Sequence, residues 1–127
     1  MPFAWKTLLD IARQLEKEAS QGPIPAEALR RSAVGRAYYA AFCHARNYAV
    51  QYLGYHLKGF GDDHGALRAH LRKSRRGGDA ARLDTLRHLR NDADYADELS
   101  WDDAAITVKE AIDAAERVFG SLRPPGS

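Results

Sequence analysis

The chain has a single cysteine, Cys43, in 127 residues, and that scarcity removes whole classes of structure at once. No intrachain disulfide framework and no thiolate zinc cluster can be assembled from it. Cys43 sits in an Ala- and Phe-rich helical run, where it reads as a small packed side chain and not as a reactive thiol. Long apolar runs are missing too: nothing approaches the roughly 18 to 20 consecutive residues that a membrane span requires. Charge of one sign is equally scarce, since 19 Lys and Arg face 17 Asp and Glu, and a net +2 is too small to imply nucleic acid by itself. There is no strand pattern, internal repeat, phosphate loop, dinucleotide fingerprint or Ser/His/Asp nucleophile arrangement. His64 and His70 are six apart, off the spacing that puts two ligands on one helix face, while His44, His56 and His88 stand alone. All five read as singly satisfied histidines, and neither a metal nor a cofactor is expected.

What is present is ordinary for a soluble protein, at 45% hydrophobic and 28% charged residues. A chain of this length buries about two-thirds of its unfolded surface, enough for one real core. Residues 1–122 are therefore expected to form one helical domain, and the Pro- and Gly-rich residues 123–127 a disordered tail. The N-terminal segment carries acidic residues and no cleavage-site pattern, so it reads as mature helix in a cytoplasmic protein.

Helical periodicity predicts a first helix over 3–20, with Trp5, Leu8, Leu9, Ala12, Leu15 and Ala19 on one face. A long second helix over 25–53 opens on Pro25, which loses no helical hydrogen bond in a first turn. Its apolar surface is wider than a simple amphipathic stripe, so it belongs at the centre of a bundle or at a subunit interface. A glycine-rich loop over 54–65 leads through Asp62 or Asp63 as cap to a short third helix over 64–75, which Gly77 and Gly78 close. A fourth helix is expected over 79–95 and a fifth over 101–122, opened by Ser100 as cap with Asp102 and Asp103 in its first turn. The class is all-α: an up-and-down four-helix core of helices one, two, four and five, with the short third as an addition.

Three polar features call for explanation. Arg72, Lys73, Arg75 and Arg76 place four cations in five residues, a patch that could meet phosphates or simply complement a helix C-terminus. Arg36 lies within helical reach of Tyr39, a narrow polar strip in an apolar element, and a buried arginine needs an acidic or hydroxyl partner. In the segment 86–95, LRHLRNDADY, Arg90 sits at the edge of a leucine stripe beside Asn91, Asp94 and Tyr95. An Arg90 to Asp94 pair at i,i+4 would contribute only a few tenths of a kcal/mol. The expectation is one polar network in which Arg36 and Tyr39 face Arg90 and Asp94, with Arg36 pairing Asp94.

Together, RAYYAAF at 36–42 and RNDADY at 90–95 resemble the two signature helices of the HEPN domain superfamily, over roughly residues 29–119. The resemblance implies a helical bundle that forms a homodimer, with the polar clusters approaching one another across the interface. Many members are implied to be metal-independent ribonucleases that use Arg, followed by a polar residue, and then a His after four to six intervening residues. Here Arg90 and Asn91 fit, but Tyr95, Ala96 and Asp97 stand where the His would fall. A phenol titrating near pH 10 cannot exchange protons at neutral pH as an imidazole can. The resemblance thus implies a dimeric binding or regulatory module, as in a toxin–antitoxin or stress-response pair with a small nucleotidyltransferase. Its alternative is an RNase acting on RNA through Arg90, Asn91 and Tyr95, with another group replacing the missing His.

Overall fold

The computed structural model describes residues 3–59 and 61–126, and among these it contains five helices and no strand. They are α1 (Thr7–Ala19), α2 (Ala26–Tyr52), α3 (Asp62–Lys73), α4 (Gly77–Tyr95) and α5 (Ala104–Ser121). None of them is long and apolar enough to cross a membrane. All-α was legible from periodicity; the corrections lie at the helix ends, where local hydrogen bonding decides.

α1 begins at Thr7 and not at residue 3, because Ala4 and Trp5 form a turn whose carbonyls accept from the amides of Thr7 and Leu8. α2 follows Pro25, whose extended ψ of 133° makes it the cap and not a helical residue. α3 starts a half-turn early because Asp63 does not cap it. Its carboxylate instead accepts from the Tyr55 hydroxyl at 2.6 Å and the Lys58 amide at 2.8 Å, fastening the preceding loop. Those two donors hold the carboxyl below the usual carboxylate range.

The glycine pair expected to close α3 opens α4 instead. α3 ends at Lys73 and is closed by Arg75, whose φ of 62° is left-handed, with Arg76 N–H returning to Leu71 O at 2.8 Å and Arg75 N–H to Arg72 O at 3.2 Å. That is a Schellman closure with arginine where glycine is usual. Asp79 in the first turn of α4 is buried, accepting from Ser121 Oγ at 2.7 Å and pairing Arg82 at 3.0 Å. α5 starts three residues later than expected. Asp103, not Ser100, adopts the extended cap conformation, and its carboxylate accepts from Ile106 N–H at 3.1 Å. Trp101 lies half-buried against the core before the helix begins.

α2 touches all four other helices, most extensively α1, then α5 and α4; α3 packs chiefly on α4. Its alanines 33, 37, 40, 41, 45 and 49 are fully buried, as are Val34 and Tyr38. The wide apolar face is thus covered within one chain, and that face by itself calls for no second copy. Arg31 reaches from α2 to the carbonyls of Ala93 at 3.1 Å and Ala96 at 2.6 Å, so the last turn of α4 is held against α2. Arg30 grips Glu16 through two nitrogens, fixing α1 to α2. Leu122 is buried, its carbonyl bonded to His44 Nε2 at 2.7 Å, and Arg123–Gly126 run exposed beyond it; Ser127 lies outside the described residues.

Arg75→Gly should raise the unfolding free energy by about 0.5 to 1 kcal/mol, the left-handed penalty less glycine's backbone entropy. Arg75→Ala should bring no such gain. Urea denaturation of the three proteins checks this.

Candidate functional site

The polar residues singled out from sequence divide into those that α2 and α4 bring together and those they do not. Arg90, 12% exposed at its side chain, lays its guanidinium over two rings of α2, 5.3 Å from the Tyr38 centroid and 5.5 Å from that of Tyr39. Arg36 lies over the same Tyr39 ring at 5.7 Å. Asp94 meets Arg90 at 3.4 Å and is 42% exposed, a weak pair. The expected Arg36–Asp94 bridge is not among the ion pairs of the described residues: Arg36 is exposed and turned onto Tyr39. Tyr95 is 77% exposed at the end of α4, and the half-buried Asn91 makes no side-chain hydrogen bond among the described residues. The helical offset puts both beside the cluster and not in it.

Periodicity missed the group at the centre. Tyr38 is 1% exposed, and a buried phenol needs a partner for its hydroxyl. That partner is His64 Nδ1 at the start of α3, and the imidazole stacks on Phe42 at 4.3 Å with planes 13° apart. Burial drives the Tyr38 pKa upward, opposed by Arg90, Arg68 and Arg87. Burial also holds His64 below its ordinary value, seconded by the charges of Arg90, Arg87 and Arg68. Tyr38 and His64 are therefore a neutral pair at pH 7, ringed by guanidiniums.

Three other histidines bond backbone carbonyls: His44 that of Leu122, His70 that of Leu53 at 2.6 Å and His88 that of Asp84 at 2.8 Å. His64 alone joins an arginine cluster. The only sequence signal for it was the buried phenol on α2, which demanded a polar partner from elsewhere.

No family model, curated protein or solved structure matches this chain. The chemistry open to the site follows from its own charges. Arg68 pairs Asp84 at 3.5 Å and also bonds the His64 carbonyl at 2.9 Å; among the described residues Arg46 hydrogen-bonds only the neutral Asn47 amide. Among the described residues Arg68 and Arg90 pair a carboxylate, Asp84 and Asp94, while Arg36, Arg46 and Arg87 make no ion pair; Asp63, hydrogen-bonded to Tyr55 and Lys58, acts on Arg46 and His64 at longer range, so five guanidiniums face three carboxylates. The Nε groups of Arg87 and Arg90 are buried without a hydrogen-bond partner among the described residues. Such a surplus of donors and positive charge suits an anion. No group of three or more His, Cys, Asp or Glu among the described residues could hold a metal. The patch of Arg72, Lys73, Arg75 and Arg76 lies at the opposite end of α3 from His64, roughly 12 Å away along the axis.

Proton NMR titration should place the midpoints of His64 and His44 below the reference of about 6.5. Arg90→Gln should raise the His64 midpoint and leave His44 in place. Since the unfolded chain binds protons that these folded histidines refuse, stability should fall as pH drops from about 7 through the histidine range.

Proposed function

We propose that this protein is a helical binding module for phosphodiester anions, RNA foremost, with Arg90 as the central cation. The observation that carries the reading is the surplus of guanidiniums around the Tyr38–His64 pair, with Arg90 pressed on two tyrosine rings and, among the described residues, paired only with half-exposed Asp94. We read α1, α2, α4 and α5 as a four-helix core with α3 added. The RAYYAAF and RNDADY segments resemble HEPN helices, and that resemblance extends the reading to a homodimeric regulatory module working with a small nucleotidyltransferase in a toxin–antitoxin or stress-response pair. The dimer and that partner rest on the resemblance alone.

A second reading, metal-independent RNA cleavage, is favoured by one observation. His64 supplies an imidazole beside Arg90 that the 90–97 segment lacks. In the tautomer whose Nδ1–H donates to Tyr38, Nε2 carries no hydrogen and can take a proton, its lowered pKa keeping it neutral for that role, while the Tyr38 O–H hydrogen then has no acceptor among the described residues. Arg90 would then stabilise charge developing on the phosphorane.

Fluorescence anisotropy with labelled single-stranded RNA tests the first reading. Binding should weaken with salt, with a log–log slope of about −0.7 for each phosphate that the protein neutralises. Arg90→Gln, checked for folding by circular dichroism, should weaken binding and flatten that slope; equal affinity in the folded variant overturns the reading. The same RNA incubated without metal tests the second: cleavage must disappear in both His64→Gln and Arg90→Gln, and absence of cleavage by the parent removes it.

A further inference from the structure

Along one side of α2, Arg36, Tyr39, the buried Cys43 and Arg46 follow one another at steps of three, four and three, a single strip roughly 15 Å long. Two depressions open on it, of about 580 and 330 Å³, sharing Tyr39 and Cys43. Phe3 and Trp5 wall the first, Leu57 and His64 the second. Phe3 is 56% and Leu57 60% exposed, large apolar groups at the rim of a furrow. Its floor carries two arginines resting on aromatic rings, Arg36 on Tyr39 at 5.7 Å and Arg46 on Trp5 at 5.9 Å. Among the described residues its one carboxylate is Asp63, hydrogen-bonded by Tyr55 and Lys58 and attracted by Arg46.

We infer that this furrow seats the bases of a short single-stranded nucleic acid, with Arg36 and Arg46 turning to its phosphates. Aromatic rings interleaved with cations are what unpaired bases use, since every base offers a π face. The basic patch on α3 lacks that interleaving; here it is assembled from the segment before α1, from α2 and from the loop before α3. Magnitudes favour the exchange. An exposed cation–π contact is worth about two- to fivefold in an equilibrium constant, whereas a base on an aromatic ring is worth roughly five- to 150-fold. A base that displaces a guanidinium therefore gains at the ring and frees a cation for the backbone. A duplex, whose bases are already stacked, offers no comparable face. An apolar peptide would fill the furrow but leave Arg36 without counter-charge and Arg46 with only the buried Asp63.

The inference deepens the phosphodiester reading and rests on it for the backbone charge, while the Trp5 readout belongs to the furrow alone, Tyr39 being shared with Arg90. Trp5 and Trp101 are the only tryptophans, so Trp101→Phe leaves Trp5 as sole reporter. In that background, single-stranded octauridylate should quench Trp5 emission, inorganic polyphosphate and a matched RNA duplex should not, and Tyr39→Leu should weaken octauridylate binding at least fivefold. If octauridylate and polyphosphate both bind by calorimetry and depend on Arg90, yet Trp5 is unmoved and Tyr39→Leu is silent, the furrow is overturned and the anion site stands. Equal quenching by duplex and single strand also overturns it. If neither ligand binds the parent protein, both readings fall.

Discussion

The close approach that alanine permits along α2 is the constraint on which the other helices depend. Six alanines with no exposed surface let neighbouring axes approach more closely than bulkier side chains would allow. At that distance one added methylene has nowhere to go, and overpacking costs about 1 to 3 kcal/mol. Tyr38 is the one large polar-tipped side chain fully buried on that face. Its hydroxyl cannot reach water, so the element that satisfies it is drawn to a fixed place, and that element is the start of α3. The functional geometry thus follows from packing: small residues fix the helices, one phenol fixes His64, and the ring of that phenol supports Arg90.

The electrostatics are uneven in an informative way. Buried Asp79 is matched by Arg82 and Ser121, and buried Asp63 by Tyr55 and Lys58, so both acids in the interior are satisfied. The arginines between α2, α3 and α4 are not matched to the same degree. An unpartnered buried donor costs about 1 to 3 kcal/mol, and a native fold keeps such costs chiefly where function repays them. The pair between Arg90 and exposed Asp94 is weak enough for a competing anion to replace it.

Periodicity revealed the five helices because each buries a stripe, and a stripe is a local pattern. Their ends were less legible because two residues could serve each boundary: Ser100 or Asp103, a glycine pair or Arg75, Pro25 as cap or first helical residue. The winner in each case depends on a partner outside the window, as Asp63 shows by abandoning its helix for Tyr55. Half of the site was readable, since Arg36, Tyr39, Arg90 and Asp94 lie on the edges of apolar stripes. Tyr38 and His64 were not, because their bond spans 26 residues and leaves no periodic trace. The width of the α2 face was read correctly as needing several neighbours, yet sequence could not say whether those neighbours belonged to the same chain.

Tyr39 links the arginine cluster to the furrow. Arg36 and Arg90 lie over the same ring at 5.7 and 5.5 Å, and a single quadrupole divided between two like charges holds each less firmly than it would hold one. Arg90 is pinned by burial, whereas Arg36 is exposed and can leave. Drawing Arg36 outward relieves the repulsion between the two cations, and the base that takes its place on the ring carries no like charge. A ligand that engages Arg36 from the furrow would therefore sharpen the placement of Arg90 beside His64, so filling one region prepares the other without any helix having to move.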